Sequence, residues 1–265
     1  MLDLNKLVDS VKPEIYSAGD MIAEAWTAHT FTVSKKDVRD VVTETDVAVE
    51  NFLRARLTRL LPEAGFIVEE GSTAKQAQYN WTIDPIDGTK YFANRAPMFF
   101  TQVSLLDADQ NPLLSLVYNP ISRQLFQAVK GGGTQVNGSK CTVYEVSDLS
   151  TAIVHFDMGN MAGKPNNWKL HLFSTIAAHA YRARFTAGFL VPYMVTGAIH
   201  LSVNSDVQIP QTIKNITDLA PHKLLLTEAG YTEKSVIYNG KSVLLWGGAS
   251  LVTAVEQLLS GSSSE

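Results

Sequence analysis

Apolar residues recur at helical spacing across 4–26, at Leu4, Leu7, Val8, Val11, Ile15, Ala18, Ile22 and Ala25. The pattern predicts an amphipathic helix that Pro13 bends or splits. The polar run Ser34-Lys35-Lys36-Asp37-Val38-Arg39-Asp40 predicts a solvated turn whose cations could also reach a phosphate. Val41 and Val42 lead into Thr43-Glu44-Thr45-Asp46, a helix-capping signature. Val49, Phe52, Leu53, Leu57 and Leu60 then give the next helix one buried face. Gly65-Phe66-Ile67-Val68 predicts a short strand running into Glu69-Glu70-Gly71. Apolar runs at 99–106, 113–118 and 124–129, parted by polar turns, predict three more strands, and Thr134-Gln135-Val136 adds another. Strands that follow one another without helices point to an antiparallel or mixed sheet, not a Rossmann fold.

Beyond residue 150 the pattern alternates. Strands are predicted at 152–156, 183–185, 199–203 and 243–246, and helices at 168–180, 187–196, 218–229 and 250–259. An aperiodic polar loop covers 204–215. The change of pattern predicts an N-terminal α+β subdomain over 1–150, a C-terminal α/β subdomain over 151–260, and a flexible low-complexity tail over 261–265.

Composition narrows the possible roles. With 265 residues, 45% hydrophobic and 18% charged, the chain can bury a sizeable core. A net charge of -4 argues against a nucleic-acid partner and suits a carboxylate-rich site that takes an anion through a cation. One cysteine, Cys141, rules out an intrachain disulfide framework and fits a reducing compartment. No apolar run is long enough to span a bilayer, and Asp3, Asp9 and Glu14 do not suit a signal peptide. A cytoplasmic protein with no membrane partner is expected.

The chemistry centres on Trp81-Thr82-Ile83-Asp84-Pro85-Ile86-Asp87-Gly88-Thr89. Apolar residues lead into two carboxylates three residues apart around a proline, followed by a glycine and a possible helix cap. That arrangement can aim carboxylates and main-chain carbonyls at one hard cation, while the amides of Gly88 and Thr89 face an anion. The plainer alternative is a hairpin turn at Asp87-Gly88. Acidic residues also stand at three other predicted element ends, at Asp46, Glu69 and Asp218. Locally these read as a cap, a solvated turn and a helix start. If they converge with Asp84 and Asp87, they make a multi-metal site that activates water. The six histidines lack zinc spacing, and neither a P-loop nor a nucleophile elbow is present.

These motifs resemble the inositol monophosphatase family, a branch of the lithium-sensitive, Mg²⁺-dependent phosphatases. The stretch from Trp81 to Thr89 matches the first family motif. Phe66-Ile67-Val68-Glu69-Glu70-Gly71 is similar to its acidic strand end, and Val42-Thr43-Glu44-Thr45-Asp46 to its Thr-x-Thr-Asp helix start. Asp218-Leu219-Ala220 with Leu225-Leu226-Thr227-Glu228-Ala229-Gly230 resembles the second motif. The resemblance implies a layered αβαβα sandwich of the inositol monophosphatase and fructose-1,6-bisphosphatase type, and a homodimer. It implies that Glu69, Asp84 and the Ile86 carbonyl hold a first Mg²⁺, that Asp84, Asp87 and Asp218 hold a second, and that Glu69 reaches a third through water. It further implies that Thr89, paired with Asp46, contacts the nucleophilic water, while the Gly88 and Thr89 amides hold the phosphate.

The substrate side departs from the family pattern. Thr217 replaces the usual tryptophan before Asp218, and the stretch 208–214 has no acid to grip sugar hydroxyls. Phe185 stands where a small residue precedes the Thr186-Ala187 pair. It would narrow that wall or offer a stacking face, with Arg182 or Arg184 meeting a second anion; the alternative is a core aromatic beside surface arginines. The expected activity is hydrolysis of a small phosphorylated metabolite, inositol monophosphate by family default. NADP or 3′-phosphoadenosine 5′-phosphate is the alternative substrate, and a metal- and phosphate-binding protein without turnover is the alternative from another class.

Overall fold

The computed structural model describes residues 2–37, 40–67, 77–159, 167–185, 188–205 and 213–261. The expectations resting on Glu69, Thr186 and Ala187, on most of the 204–215 loop and on the last four residues of the tail lie outside them. Helix α1 (Leu4–Ala28) starts at Asp3, whose carboxylate accepts the Lys6 amide at 3.0 Å. Pro13 lies inside α1 with its ring exposed and does not end the helix. Strands β1 (Val33–Asp37) and β2 (Asp40–Thr43) pair antiparallel where the sequence predicts only a turn. The β-branched residues Val33, Val41 and Val42 at the edges of that polar run favour extended backbone.

Helix α2 (Glu44–Leu60) opens on a reciprocal capping box between Thr43 and Asp46. The strands that follow are β3 (Gly65–Ile67), β4 (Tyr79–Asp87), β5 (Phe100–Asp107), β6 (Pro112–Asn119), β7 (Gln124–Val129), β8 (Gly133–Val136) and β9 (Ser139–Cys141). They form a seven-stranded sheet in chain order, parallel between β3 and β4 and antiparallel from β4 to β8. Side chains alternate across it. Trp81 and Ile83, Val103 and Leu105, and Leu114 and Leu116 pack with Val11, Ile15 and Ile22 of α1 and Val49, Leu53 and Leu57 of α2. Burying each such side chain contributes roughly 1.5–3 kcal/mol before entropy is charged against it. The alternate positions, Thr82, Asp84, Gln102 and Ser104, are thereby turned to the opposite face. Close approach of α1 to β6 requires Gly19, where a Cβ would lie 2.3 Å from the buried Tyr118 ring.

The chain divides into two compact units, Met1–Lys140 with Gln211–Leu225, and Cys141–Pro210 with Leu226–Glu265. In the second, β10 (Ile153–Asp157), β11 (Arg182–Phe185), β12 (Leu201–Asn204), β13 (Thr232–Tyr238) and β14 (Lys241–Gly247) form a five-stranded mixed sheet, order β11-β10-β12-β14-β13. Leu172 and Ile176 of α4 (Asn167–Ala177) and Leu251, Val252 and Val255 of α6 (Ala249–Gly261) join Val154, Leu201, Val203 and Leu245 in its core. The segment expected as a helix near 187–196 is a 3-10 helix, Gly188–Thr196, with Pro192 inside it. A proline there removes a donor that an α-helix would need. Helix α5 (Ile213–Ala229) begins five residues earlier than predicted, so Asp218 stands in its second turn and not at its start. Among the described residues no helix is long and apolar enough to cross a membrane.

One buried histidine makes the second unit sensitive to acid. His200 Nδ1 accepts the Ile153 amide at 3.0 Å, and its ring stacks on Tyr144 at 5.3 Å. Burial holds its pKa below the usual 6.5, against the opposing pull of a backbone hydrogen bond at Gly197. Between the depressed folded value and the unfolded one, the unfolded chain binds more protons. The stabilising contribution is therefore complete above about pH 6.5 and is lost as pH falls through the folded pKa. Urea unfolding from pH 7.5 to pH 5 should show stability declining below pH 6.5, with a shallower decline in His200→Gln. Equal slopes in the two proteins would remove His200 as the cause.

Candidate active site

Residues three apart on a regular strand face opposite sides of a sheet. Between Asp84 and Asp87 the ladder slips, because Asp84 stands opposite Gln102 while Asp87 stands opposite Phe100. Three steps on β4 thus match two on β5. The extra residue, in a stretch containing a proline that cannot donate to the ladder, returns Asp87 to the face that carries Asp84. Gln102 lies on that face and donates from Nε2 to Asp87 Oδ2 at 3.3 Å. Ile86, between the two carboxylates, sends its side chain into the helix-packed core.

Gly88 closes the strand in the left-handed region, with φ 92° and ψ 31°, and serves as N-cap of the short helix α3 (Thr89–Ala93). A Cβ there would meet the Met98 carbonyl at 2.9 Å, so only glycine fits this turn unstrained. The Asp87-Gly88 pair is therefore not a two-residue hairpin: β4 and β5 do pair, but α3 lies in their connection. Gly88 accepts the amides of Tyr91 and Phe92 at 2.8 and 3.1 Å. The first amides of α3, as at any helix start, have no intrahelical acceptor.

Asp46 does two things. Its Oδ2 accepts the Thr43 amide at 2.8 Å and the Thr43 hydroxyl at 2.5 Å, which completes the α2 capping box. Its Oδ1 stands 3.5 Å from Thr89 Oγ1. The Thr89 hydroxyl is also 2.8 Å from the Ile86 carbonyl oxygen. The capping role predicted for Asp46 and its pairing with Thr89 are thus compatible, because they use different oxygens. Asp46 is only 9% exposed, so both contacts are shielded from bulk water.

Asp218 rides on α5, where Thr217 Oγ1 donates to its Oδ1 at 3.3 Å. Ile216 and Ala220 on either side of it pack against Leu106 of β5 and Ile67 of β3. Leu106 alternates with Gln102 and Ser104, so α5 covers the face that carries Asp84. Thr134 Oγ1 fastens the helix further on, donating to the Leu225 carbonyl at 2.7 Å. Among the described residues no three Asp, Glu, His or Cys side chains come close enough together to hold an ion. Glu69, two residues beyond Ile67, is outside those residues. The donors that are described are all oxygens, which suits a hard cation such as Mg²⁺ and not zinc.

In the second unit, Phe185 is 48% exposed. Its ring lies 4.1 Å from Phe173, centroid to centroid, with Phe156 at 6.2 Å. Strand alternation sends Arg182 and Arg184 to the other face of β11, so the arginines do not flank the exposed ring. Arg182 instead lies over the Tyr181 ring at 4.8 Å. Gln102 is the site neighbour that motif reading missed. Its only signal was a long amide side chain within a buried strand whose other polar residues are Thr101, Ser104 and the terminal Asp107.

Comparison with known proteins agrees with this architecture. The model of the inositol monophosphatase family matches residues 4–256. An inositol monophosphatase of Dictyostelium discoideum is 29% identical over 239 residues, covering 86% of this chain and 84% of that protein. A histidinol-phosphatase of Streptomyces coelicolor is 29% identical over 201 residues, 72% of each. The extragenic suppressor protein suhB of Bartonella henselae superposes with a TM-score of 0.84 at 22% identity, covering 97% of this chain and 99% of that one. A structure described as IMPase/NADP phosphatase complexed with NADP and Ca²⁺ superposes at 0.80 with 19% identity, over 99% and 98% of the two chains. The fold is thus the α/β type of those inositol monophosphatase structures, and the chain belongs to the inositol monophosphatase family, as a phosphomonoesterase whose family membership implies metal-dependent catalysis.

Proposed function

We propose that this phosphomonoesterase uses Mg²⁺, two or three ions per site, to hydrolyse a small phosphorylated metabolite, with inositol monophosphate as the first substrate to test. The observation that carries the reading is the one-residue slip in β4, which puts Asp84 and Asp87 on one sheet face immediately before the Gly88 turn. Asp84, Asp87, the Ile86 carbonyl, Asp218 and Glu69 are the proposed ligands. When bound there, Mg²⁺ lowers the pKa of a water and neutralises phosphoryl oxygens. The chain's own part is positioning. Thr89 Oγ1 holds the attacking water, Asp46 Oδ1 accepts from that hydroxyl, and the Gly88 and Thr89 amides receive the phosphate. The proposed homodimer rests on the family resemblance alone, and the proposed cytoplasmic location on the single cysteine, Cys141.

A nucleotide such as NADP or 3′-phosphoadenosine 5′-phosphate is the second reading. The half-exposed ring of Phe185, backed by Phe173, favours it, since a base can stack on such a face. The placement of Arg182 and Arg184 across the strand counts against one ligand using ring and arginine together. The deciding assay is phosphate release from inositol 1-phosphate, histidinol phosphate, NADP and 3′-phosphoadenosine 5′-phosphate, with and without Mg²⁺. Release abolished by chelation is expected from at least one compound. If a nucleotide is preferred, Phe185→Ala should raise its KM and leave the other substrates unchanged. Mg²⁺ uptake with no release from any compound would turn the reading to a binding protein without turnover.

A further inference from the structure

We propose that a cavity on the helix-packed side of the seven-stranded sheet binds a small aromatic carboxylate. The cavity has a volume of about 460 Å³, ample for a small molecule. It is lined by Tyr16 of α1, Tyr118 near the end of β6, Arg123 in the turn before β7 and Asn137 in the turn after β8. Tyr118 stands opposite Thr101, which alternates with Gln102 along β5, while Gln102 stands opposite Asp84. Cavity and Asp84 therefore lie on opposite faces of the sheet, and this site is separate from the one that carries the carboxylates.

Each lining group points to the same ligand. Tyr118 is only 1% exposed, and no hydrogen bond ties its hydroxyl to any described residue. That oxygen is nevertheless not among the buried atoms sealed from solvent, because it opens onto the cavity. A buried phenol usually finds a partner for its hydroxyl, and here a ligand can supply it. Asn137 Oδ1 accepts the Leu125 amide at 2.8 Å, which leaves Nδ2 as the group it offers. Arg123 Nη2 stands 3.4 Å from Asp20 Oδ1, but both side chains are exposed and such a pair contributes little. The remaining guanidinium donors form a fork that fits a carboxylate. Arginine and the amide nitrogen can only donate, so the ligand must bring acceptors. With one guanidinium, partly balanced by Asp20, the site favours the single charge of a carboxylate over the double charge of a phosphate. The rings of Tyr16 and Tyr118 meet edge to face, with centroids 5.1 Å apart and planes at 84°. They give the cavity an aromatic wall against which a flat ring packs.

The test follows benzoate binding to the full chain by saturation-transfer NMR, in EDTA so that no cation in the proposed metal site can hold a carboxylate. Benzamide supplies the ring without the charge, and acetate the charge without the ring. Benzoate should bind saturably with a Kd of about 0.1–10 mM. Benzamide and acetate should each bind about 10-fold more weakly. Arg123→Gln should weaken benzoate about 10-fold or more, and Tyr16→Ala about 3–10-fold. Both side chains are exposed, so the unfolding midpoints of the variants should stay close to the wild type. Unchanged benzoate binding in either variant would overturn the proposal, as would the absence of saturable binding to the wild type. Inorganic phosphate bound more tightly than benzoate would overturn the assignment of a carboxylate.

Discussion

Asp84→Asn should lower kcat/KM by about 1,000-fold or more, the largest loss expected from any single substitution in this chain. The size follows from what the carboxylate is proposed to do. Asp84 is the one side chain assigned to both Mg²⁺ ions, and each ion's charge stabilisation is a matter of several kcal/mol. An amide keeps the shape and one acceptor oxygen but removes the negative charge. Folding should survive, because Asp84 lies on the polar face of β4 and not among Trp81, Ile83 and Val103 in the core. Without metal, the variant should be at least as stable as the wild type, since Asp87 loses a like-charged neighbour on its face. The measurable signature is a loss of linkage. At Mg²⁺ 100-fold above its Kd the wild type should gain about 2.7 kcal/mol of unfolding free energy, and the variant little or none. Retained activity with retained Mg²⁺ stabilisation would show that the ligands lie elsewhere.

What could be read before any coordinates were known sorts by range of interaction. Helices α1 and α2 and strands β5 to β7 were legible, because one face of each meets a single core and their apolar periods are strong. The Thr43–Asp46 cap was legible because its partners are three residues apart. The ladder of β1 with β2 was not, since four of its nine residues are charged and neither short strand shows an apolar period long enough to read. Strand β13 escaped for a related reason: it opens on four polar residues, Thr232 to Ser235, and only Val236, Ile237 and Tyr238 are apolar, too short a run to read as a strand. The start of α5 was hidden by polar residues ahead of Asp218, and the helix is fixed by Ile216 and Ala220 packing on Leu106 and Ile67, contacts more than a hundred residues distant in chain.

The site divides along the same line. The motif from Trp81 to Thr89 announced two carboxylates and a turn, and left open whether that turn joined a hairpin. Its geometry depends on register with β5, which no local rule supplies. Once Asp84 is known to face Gln102 and Asp87 to face Phe100, the shared face of the two carboxylates follows from the pleat. Gln102 itself belongs to no motif. It becomes visible only through that pairing, in which a buried amide meets a carboxylate from the neighbouring strand.

Thr89→Ala is expected to lower kcat by about 100–1,000-fold, the range for removing one positioned group that acts on the reacting atoms. Its Oγ1 has one proton and two acceptors within reach, the Ile86 carbonyl at 2.8 Å and Asp46 Oδ1 at 3.5 Å. The two contacts predict different kinetics. If the hydroxyl serves the attacking water through Asp46, Thr89→Ala should bind Mg²⁺ nearly as the wild type does and lose rate at saturation. Thr89→Ser should restore most of the rate. If its main task is to hold the Ile86 carbonyl in place, Mg²⁺ affinity should fall with the rate, and excess Mg²⁺ should recover it. Asp46→Asn is the less clean probe, because Asp46 Oδ2 also caps α2 through Thr43 and its loss costs about 1 kcal/mol of stability. Kinetics across a Mg²⁺ series therefore decide the matter on Thr89. A rate deficit that persists at saturating metal assigns the hydroxyl to the water, and one that disappears assigns it to the ligand shell.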